Sequence, residues 1–189
     1  MIWLILLYII FLIVGLVLLF WQLSSFISLV AGAPYLTSPL TKKDWPKLIE
    51  EVKNISKPSK KDSSTFLDLG SGDGTICLYA SNYFDYVYGI EISPFNYLLS
   101  HWRTRKHKNI KIIFGNILQV EWPKVDLIYC YLLPKFLKKI QPLLIKSKAD
   151  IICLDFEIQI KDGENRKLLQ RVRQIKVGNH QLFYYQPVS

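Results

Sequence analysis

Phe66-Leu67-Asp68-Leu69-Gly70-Ser71-Gly72-Asp73-Gly74 runs from apolar residues into three alternate glycines. Thr65 to Leu69 predicts a short apolar strand, and Ile76, Leu78, Tyr79 and Ala80 predict a helix opening at Thr75. Between them the chain has to reverse through backbone angles closed to residues with a Cβ, which glycines supply. Glycines also let the backbone come close to a ligand, while the following helix offers unpaired N–H groups and the positive end of its dipole. Two ligand classes use such a turn, and spacing separates them. A pyrophosphate turn reads G-x-G-x-x-G, its third glycine serving helix–strand packing. Here the glycines fall at 70, 72 and 74, and an acid, Asp68, stands two residues before the first.

That spacing resembles motif I of the class I S-adenosylmethionine-dependent methyltransferases. Their ligand carries a sulfonium and an amino-acid end where a dinucleotide carries a pyrophosphate, so an acid near the turn is an asset. The resemblance implies cofactor contacts from Asp68, Gly70, Ser71, Gly72 and Gly74. Downstream, Tyr86-Val87-Tyr88-Gly89-Ile90-Glu91 reads as a second strand ending in a carboxylate. An acid about 20 residues beyond the glycines, at a strand's end, is placed to grip a ribose diol. This suits either cofactor, so Glu91, with Ile92 beside it, points to a nucleoside without choosing between them.

The chain has 189 residues, enough for one domain and an anchor. Ile2 to Trp21 contains no charge, and Trp3 and Trp21 bracket the run. Twenty apolar residues at 1.5 Å rise cover about 30 Å, the hydrocarbon thickness of a bilayer, and tryptophans favour its interfaces. A cleaved signal peptide, with Ala31-Gly32-Ala33 as its cleavage site, is the rival. The long apolar run and the lack of a basic leading region speak against it. Between Lys42 and Lys61 stand seven lysines and three acids. The positive-inside rule therefore places the following domain in the cytoplasm, behind a single-pass anchor. The net charge of +9 is consistent with contact between this basic segment and anionic lipid; nucleic acid is the weaker reading, since no RNA-binding module is recognisable. Three cysteines (77, 130, 153) with no C-x-x-C fit a reducing compartment and predict neither a disulfide frame nor a metal site.

The expected organisation is an anchor over residues 1–28, a linker and helix over 29–62, and the catalytic domain over 63–189. Prolines 34 and 39 make the linker extended. Asp44 to Ile55 predicts a helix capped by Asp44, with Leu48, Ile49, Val52 and Ile55 on its apolar face. A helix from Ser93 or Pro94 to about Lys106 has Tyr97, Leu98, His101 and Trp102 as candidate packing residues. Lys111 to Phe114, Val125 to Tyr131 and Ala149 to Asp155 predict three further strands, with a helix from Lys135 to about Ile145 between the last two. Arg171 to Val177 and Gln181 to Gln186, around Gly178-Asn179-His180, predict an antiparallel hairpin. The fold class is α/β: a mostly parallel, Rossmann-like class I methyltransferase sheet with a C-terminal antiparallel hairpin, preceded by a transmembrane helix. A dinucleotide-binding domain does not need that hairpin, which tips the choice of cofactor to S-adenosyl-L-methionine. Histidines 101, 107 and 180 read as ordinary surface or core residues.

Taken together, the anchor, Gly32-Ala33-Pro34-Tyr35-Leu36-Thr37-Ser38-Pro39, the glycine turn, Gly89-Ile90-Glu91 and Tyr131-Leu132-Leu133-Pro134 resemble a family of small membrane-anchored lysine methyltransferases. It includes the ATP synthase c-subunit and adenine nucleotide translocase enzymes. The resemblance implies a membrane-protein substrate and a segment before motif I that helps close the cofactor site, so that Tyr35 and Thr37 touch cofactor or substrate. It places Asn116 and Ile117 at the adenine; an acid is common at the first of these positions, and asparagine accepts through its carbonyl oxygen instead. Tyr131 and Pro134 are expected to line the methyl-transfer pocket, though neither offers a general base. With no basic, serine-rich transit segment in view, a mitochondrial address is not carried over. Two rivals stand beside this reading: a methyltransferase of a lipid-phase small molecule, and a membrane-tethered binding module without activity.

Overall fold

Strand β1 (Thr65–Leu69) is an inner strand of the sheet, parallel to β2 (Tyr86–Glu91) on one side and β4 (Leu127–Cys130) on the other. The computed structural model describes residues 2–30, 40–55, 64–160 and 168–188, the side chains of 28 and 52–55 excepted. Beyond β2 lies β3 (Ile110–Phe114), and beyond β4 lies β5 (Asp150–Leu154), both parallel to their neighbours. The hairpin of β6 (Leu169–Val177) and β7 (His180–Pro187) closes the sheet in the order β3-β2-β1-β4-β5-β7-β6, with β7 antiparallel to both β5 and β6. This is the mostly parallel sheet with a terminal antiparallel hairpin expected from the sequence. The turn takes two residues, with Gly178 at φ 60°, so His180 begins β7 instead of belonging to the turn.

Buried on both faces, the inner strands need continuous apolar sequence, and Ile151, Ile152, Cys153 and Leu154 are all buried. One face packs against α5 (Pro134–Ser147) through Leu137, Ile140 and Leu144. The other is covered by α2 (Asp44–Ile55) and α3 (Thr75–Ala80). Trp45 of α2, absent from the predicted apolar face, is 1% exposed and meets the rings of Phe66, Tyr79 and Tyr129 at 5.9–6.2 Å. Leu48 and Ile49 are buried as expected; the side chains of Val52 and Ile55 lie outside the described residues. Asp44 does not cap α2 as predicted: its carboxylate reaches back to Thr41 N and Oγ1, both at 2.7 Å. Strand β4 is shorter than Val125 to Tyr131, because the Asp126 carboxylate turns to accept from Thr65 N at 2.9 Å.

Helix α4 (Pro94–Thr104) corrects another expectation. Its buried residues are Asn96, Ser100 and Thr104, whereas Leu98, His101 and Trp102 are exposed and Tyr97 is half-buried. The reason is proximity. A Cβ on Gly74 would stand 3.0 Å from Ser100 Cβ and 3.3 Å from Thr104 Cγ2, a gap that only small side chains on α4 can face. Helix α1 (Ile2–Val30) carries no charged residue, and Ile2–Ile27 is long and apolar enough to cross a membrane.

Candidate active site

The glycine turn stands where β1 leaves the sheet, at its carboxyl edge. Gly70, Gly72 and Gly74 have φ of 82°, 53° and 79°, angles that favour glycine. Gly70 N and Ser71 N donate to Ile90 O at 2.9 and 3.0 Å, tying the turn across to β2. Gly72 N donates to Glu91 Oε2 and Ser93 N to Glu91 Oε1, both at 2.7 Å. Each carboxylate oxygen keeps a second lone pair, which is what a pair of ribose hydroxyls requires. Burial pushes the pKa of Glu91 up, while these amides pull it back.

Gly89, to which the sequence pattern assigns no role, carries this arrangement. A Cβ there would lie 2.7 Å from Ser71 Cβ and 2.9 Å from Cys77 Sγ, so a bare β2 backbone is the floor on which the turn rests. A Cβ on Gly70 would lie 3.5 Å from Leu132 Cδ2, which brings the segment after β4 onto the same turn.

Asp68 is 2% exposed, and among the described residues its carboxyl accepts a long contact from Cys77 Sγ at 3.8 Å. Burial, and then the charge of Glu91, hold its pKa well above the usual carboxylate range. Ser71 Oγ is buried with no hydrogen-bond partner among the described residues. An unsatisfied hydroxyl and a carboxyl short of countercharge, beneath the glycine turn, fit a polar ligand with a cationic group. Asp73 is engaged elsewhere, in an ion pair with Arg103.

Gly115 N donates to Glu91 O at 2.9 Å, which sets the end of β3 beside that acid. Asn116 Oδ1 accepts from Leu118 N at 2.9 Å, so the oxygen expected to meet the adenine amine has one lone pair left. Ile117 is buried in the core and Ile92 is half-buried. Tyr131 is half-buried, stacked on Phe156 at 5.9 Å and 18°, and burial followed by the charge of Asp155 raises its phenol pKa. Pro134 is exposed at the first position of α5. Tyr35 and Thr37 lie outside the described residues. At the same edge Asp155, at φ 58°, faces His180 Nδ1 at 2.8 Å and accepts from Gln181 N at 3.0 Å. The sequence showed an isolated histidine and the end of a strand; only the hairpin brings them together. Among the described residues no group of three His, Cys, Asp or Glu side chains could hold a metal.

A second contact was not legible in the sequence. Ser24 of α1 is 1% exposed; its Oγ lies 2.5 Å from Ser93 Oγ and accepts from Phe95 N at 3.0 Å. Phe20 and Phe95 pack beside it with ring centroids 6.0 Å apart. Through Ser24, in its carboxyl-terminal part, the apolar helix thus meets the cap of α4, two residues from Glu91.

The family described as the ANTKMT methyltransferase domain matches residues 68–163. Among solved structures, an RNA methyltransferase from Salinibacter ruber in complex with S-adenosyl-L-homocysteine is similar at a TM-score of 0.62 and 18% identity, over 80% of this chain and 94% of that one. The ribosomal protein L11 methylase from Lactobacillus delbrueckii subsp. bulgaricus gives 0.61 and 19%, over 79% of each. An S-adenosylmethionine-dependent methyltransferase from Geobacter sulfurreducens, also with S-adenosyl-L-homocysteine, gives 0.54 and 17%, over 78% and 72%. No curated protein sequence matches the chain. At these identities the structural likeness speaks for the fold.

Proposed function

This chain belongs to the ANTKMT methyltransferase domain family, and on that premise we propose that it methylates a lysine side chain of a membrane-associated protein. As a member it is an S-adenosylmethionine-dependent methyltransferase. The observation that carries the finer reading is the run of hydrogen bonds from Gly72 through Glu91 and Ser93 to Ser24, which ends on a helix fit to span a bilayer. An acceptor reaching this edge of the sheet approaches at the level where that helix leaves the lipid.

Bound at the turn, S-adenosylmethionine supplies a methyl group on a sulfonium, activated for in-line displacement. Glu91 would orient the donor by accepting from the ribose hydroxyls, and the glycines of the turn would let the backbone come close to its amino-acid end. Asp68 contributes the carboxyl that a cationic ligand would pull towards ionisation. Tyr131, backed by Phe156, and Pro134 line the acceptor side and exclude water. An ammonium has no lone pair, and a lysine desolvated there loses its proton more readily. Most of the rate then comes from holding the neutral amine in line. The α1 helix and the basic segment after it keep the domain on the cytoplasmic face, which raises the local concentration of membrane substrates.

The contact between α1 and α4 equally favours a small lipid-phase acceptor, so the test has to separate the two. Detergent-purified protein is incubated with methyl-labelled S-adenosylmethionine and membranes from cells lacking it, and protein is then separated from lipid. Label on lysine in a membrane-protein band is the expected result. Label confined to the lipid extract would overturn the lysine assignment in favour of the small acceptor.

A further inference from the structure

Helix α4 is built inside out. Its inward residues are the small and polar Asn96, Ser100 and Thr104. Its outward stripe is Leu98 and Trp102, at 57% and 60% exposure, with half-buried Phe95 and Leu99 completing an i, i+3, i+4, i+7 pattern. An amphipathic helix of a domain surrounded by water gains from the opposite arrangement. Phe114, 52% exposed at the end of β3 with its ring 5.1 Å from Tyr97, widens the apolar patch.

The charge around the patch is of one sign. From Ile92 to Val120 there is no acidic residue, and the basic ones are Arg103, Arg105, Lys106, Lys108 and Lys111. Arg103 is paired with Asp73; the other four are exposed. The Arg105 guanidinium lies 4.4 Å over the Trp102 ring, at the end of the stripe. The opposite end of α4 is where Ser24 of α1 holds Ser93 and Phe95.

We propose that this face of α4 is a second membrane contact, lying in the headgroup layer of an anionic leaflet. Leu98 and Trp102 reach toward the acyl chains, and Arg105, Lys106 and Lys108 lie against lipid phosphates. Apolar and aromatic residues flanked by long cationic ones are what an interfacial helix presents to such a surface. The basic charge would also suit RNA, but the exposed leucine and tryptophan, contiguous with an apolar helix, favour lipid. This inference rests on the membrane-tethered reading and adds an orientation to it. With α1 and α4 both engaged, the glycine turn is held at a fixed height and tilt above the bilayer.

The full-length protein is reconstituted into vesicles of phosphatidylcholine alone or of phosphatidylcholine and phosphatidylglycerol in comparable amounts. An environment-sensitive fluorophore is placed on Leu98→Cys, or on Lys139→Cys on α5 as a control; the native cysteines are buried. In the anionic vesicles the Leu98 probe is expected to shift to the blue and to be quenched by nitroxide-bearing lipid, while the Lys139 probe stays open to iodide. Changing Lys106 and Lys108 to glutamine should lower the ratio of docked to undocked protein about fivefold for each charge removed. A Leu98 probe open to iodide in both vesicles, on protein that resists alkaline extraction, would overturn the α4 contact and leave the anchor standing. Protein extracted by alkali would overturn both. Protection of the probe by added RNA and not by lipid would reassign the face to nucleic acid.

Discussion

The hydroxyls of Ser24 and Ser93 meet at 2.5 Å, joining an apolar helix to the strand that ends in the Glu91 carboxylate. Ser93 also accepts from Asn96 N at 3.3 Å as the cap of α4, and its own N–H is held by Glu91. One serine therefore fixes the helix start, the acid and the α1 contact. Its neighbour Phe95 N has Ser24 Oγ as acceptor.

Ser24→Ala removes that acceptor. A neutral hydrogen bond of this kind is worth ~1 kcal/mol, which corresponds to about fivefold faster exchange where local opening governs it. Hydrogen exchange at the Phe95 amide is expected to accelerate by this factor while the amides of β1 stay protected. Equal protection of Phe95 in the parent and the variant would show that the contact carries no weight.

Glu91→Gln leaves one acceptor oxygen where the structure uses two, and sets an N–H₂ against Gly72 N–H or Ser93 N–H. Hydrogen bonds to a charged group are worth about 1.5–3 kcal/mol. The affinity for S-adenosylhomocysteine, read by titration calorimetry, should fall about tenfold to a hundredfold. An unaltered affinity would remove Glu91 from the site.

Gly89→Ala places a methyl group 2.7 Å from Ser71 Cβ, and the turn has to lift. Overpacking of this kind costs about 1–3 kcal/mol. The expected outcome is a lower melting temperature together with weakened S-adenosylhomocysteine binding, although residue 89 offers the ligand no side chain. Binding and melting both equal to the parent would refute the packing account.

Asp68 gives a pH dependence. Its pKa is raised on folding, so the folded state binds more protons than the unfolded one between the ordinary carboxyl value and the raised value. Stability without cofactor is therefore full at the acid end of that interval and falls as pH rises through it. Glu91, shifted the same way by burial, adds to the slope. Asp68→Asn should flatten the slope in part, melt higher than the parent at neutral pH without cofactor, and bind the cofactor more weakly. Denaturation across pH in detergent checks the first two. A variant whose slope matches the parent's would contradict the buried-acid account.

The glycine turn, β1, β2 and the hairpin were legible in the sequence because each is a local signal: a glycine spacing, a short apolar run, an alternating pair around Gly178-Asn179. The place of Glu91 at the end of β2 was legible from its spacing alone. Leu98 and Trp102 were misread as packing residues because a helical apolar stripe is normally turned inward. Gly74 instead draws α4 so close that only Ser100 and Thr104 fit between them. Trp45, the Ser24–Ser93 contact and the Asp155–His180 pair depend on distant segments meeting, which no local pattern records. Ser71 and Asp68 were named for a ligand; their burial, and the lack of a partner for Ser71 Oγ among the described residues, emerges only once Gly89 has let the turn settle onto β2.

Strand β7 follows β6 in the chain but lies between β5 and β6 in the sheet. Until His180 to Pro187 have been synthesised, the apolar Ile151 to Leu154 edge has no partner on that side, and an unpaired apolar edge invites pairing with other chains. Order of synthesis and order of assembly thus disagree at a strand that is buried and apolar. The domain has to complete its folding after its final strand is made, and a nascent chain stalled before His180 is the species most exposed to aggregation.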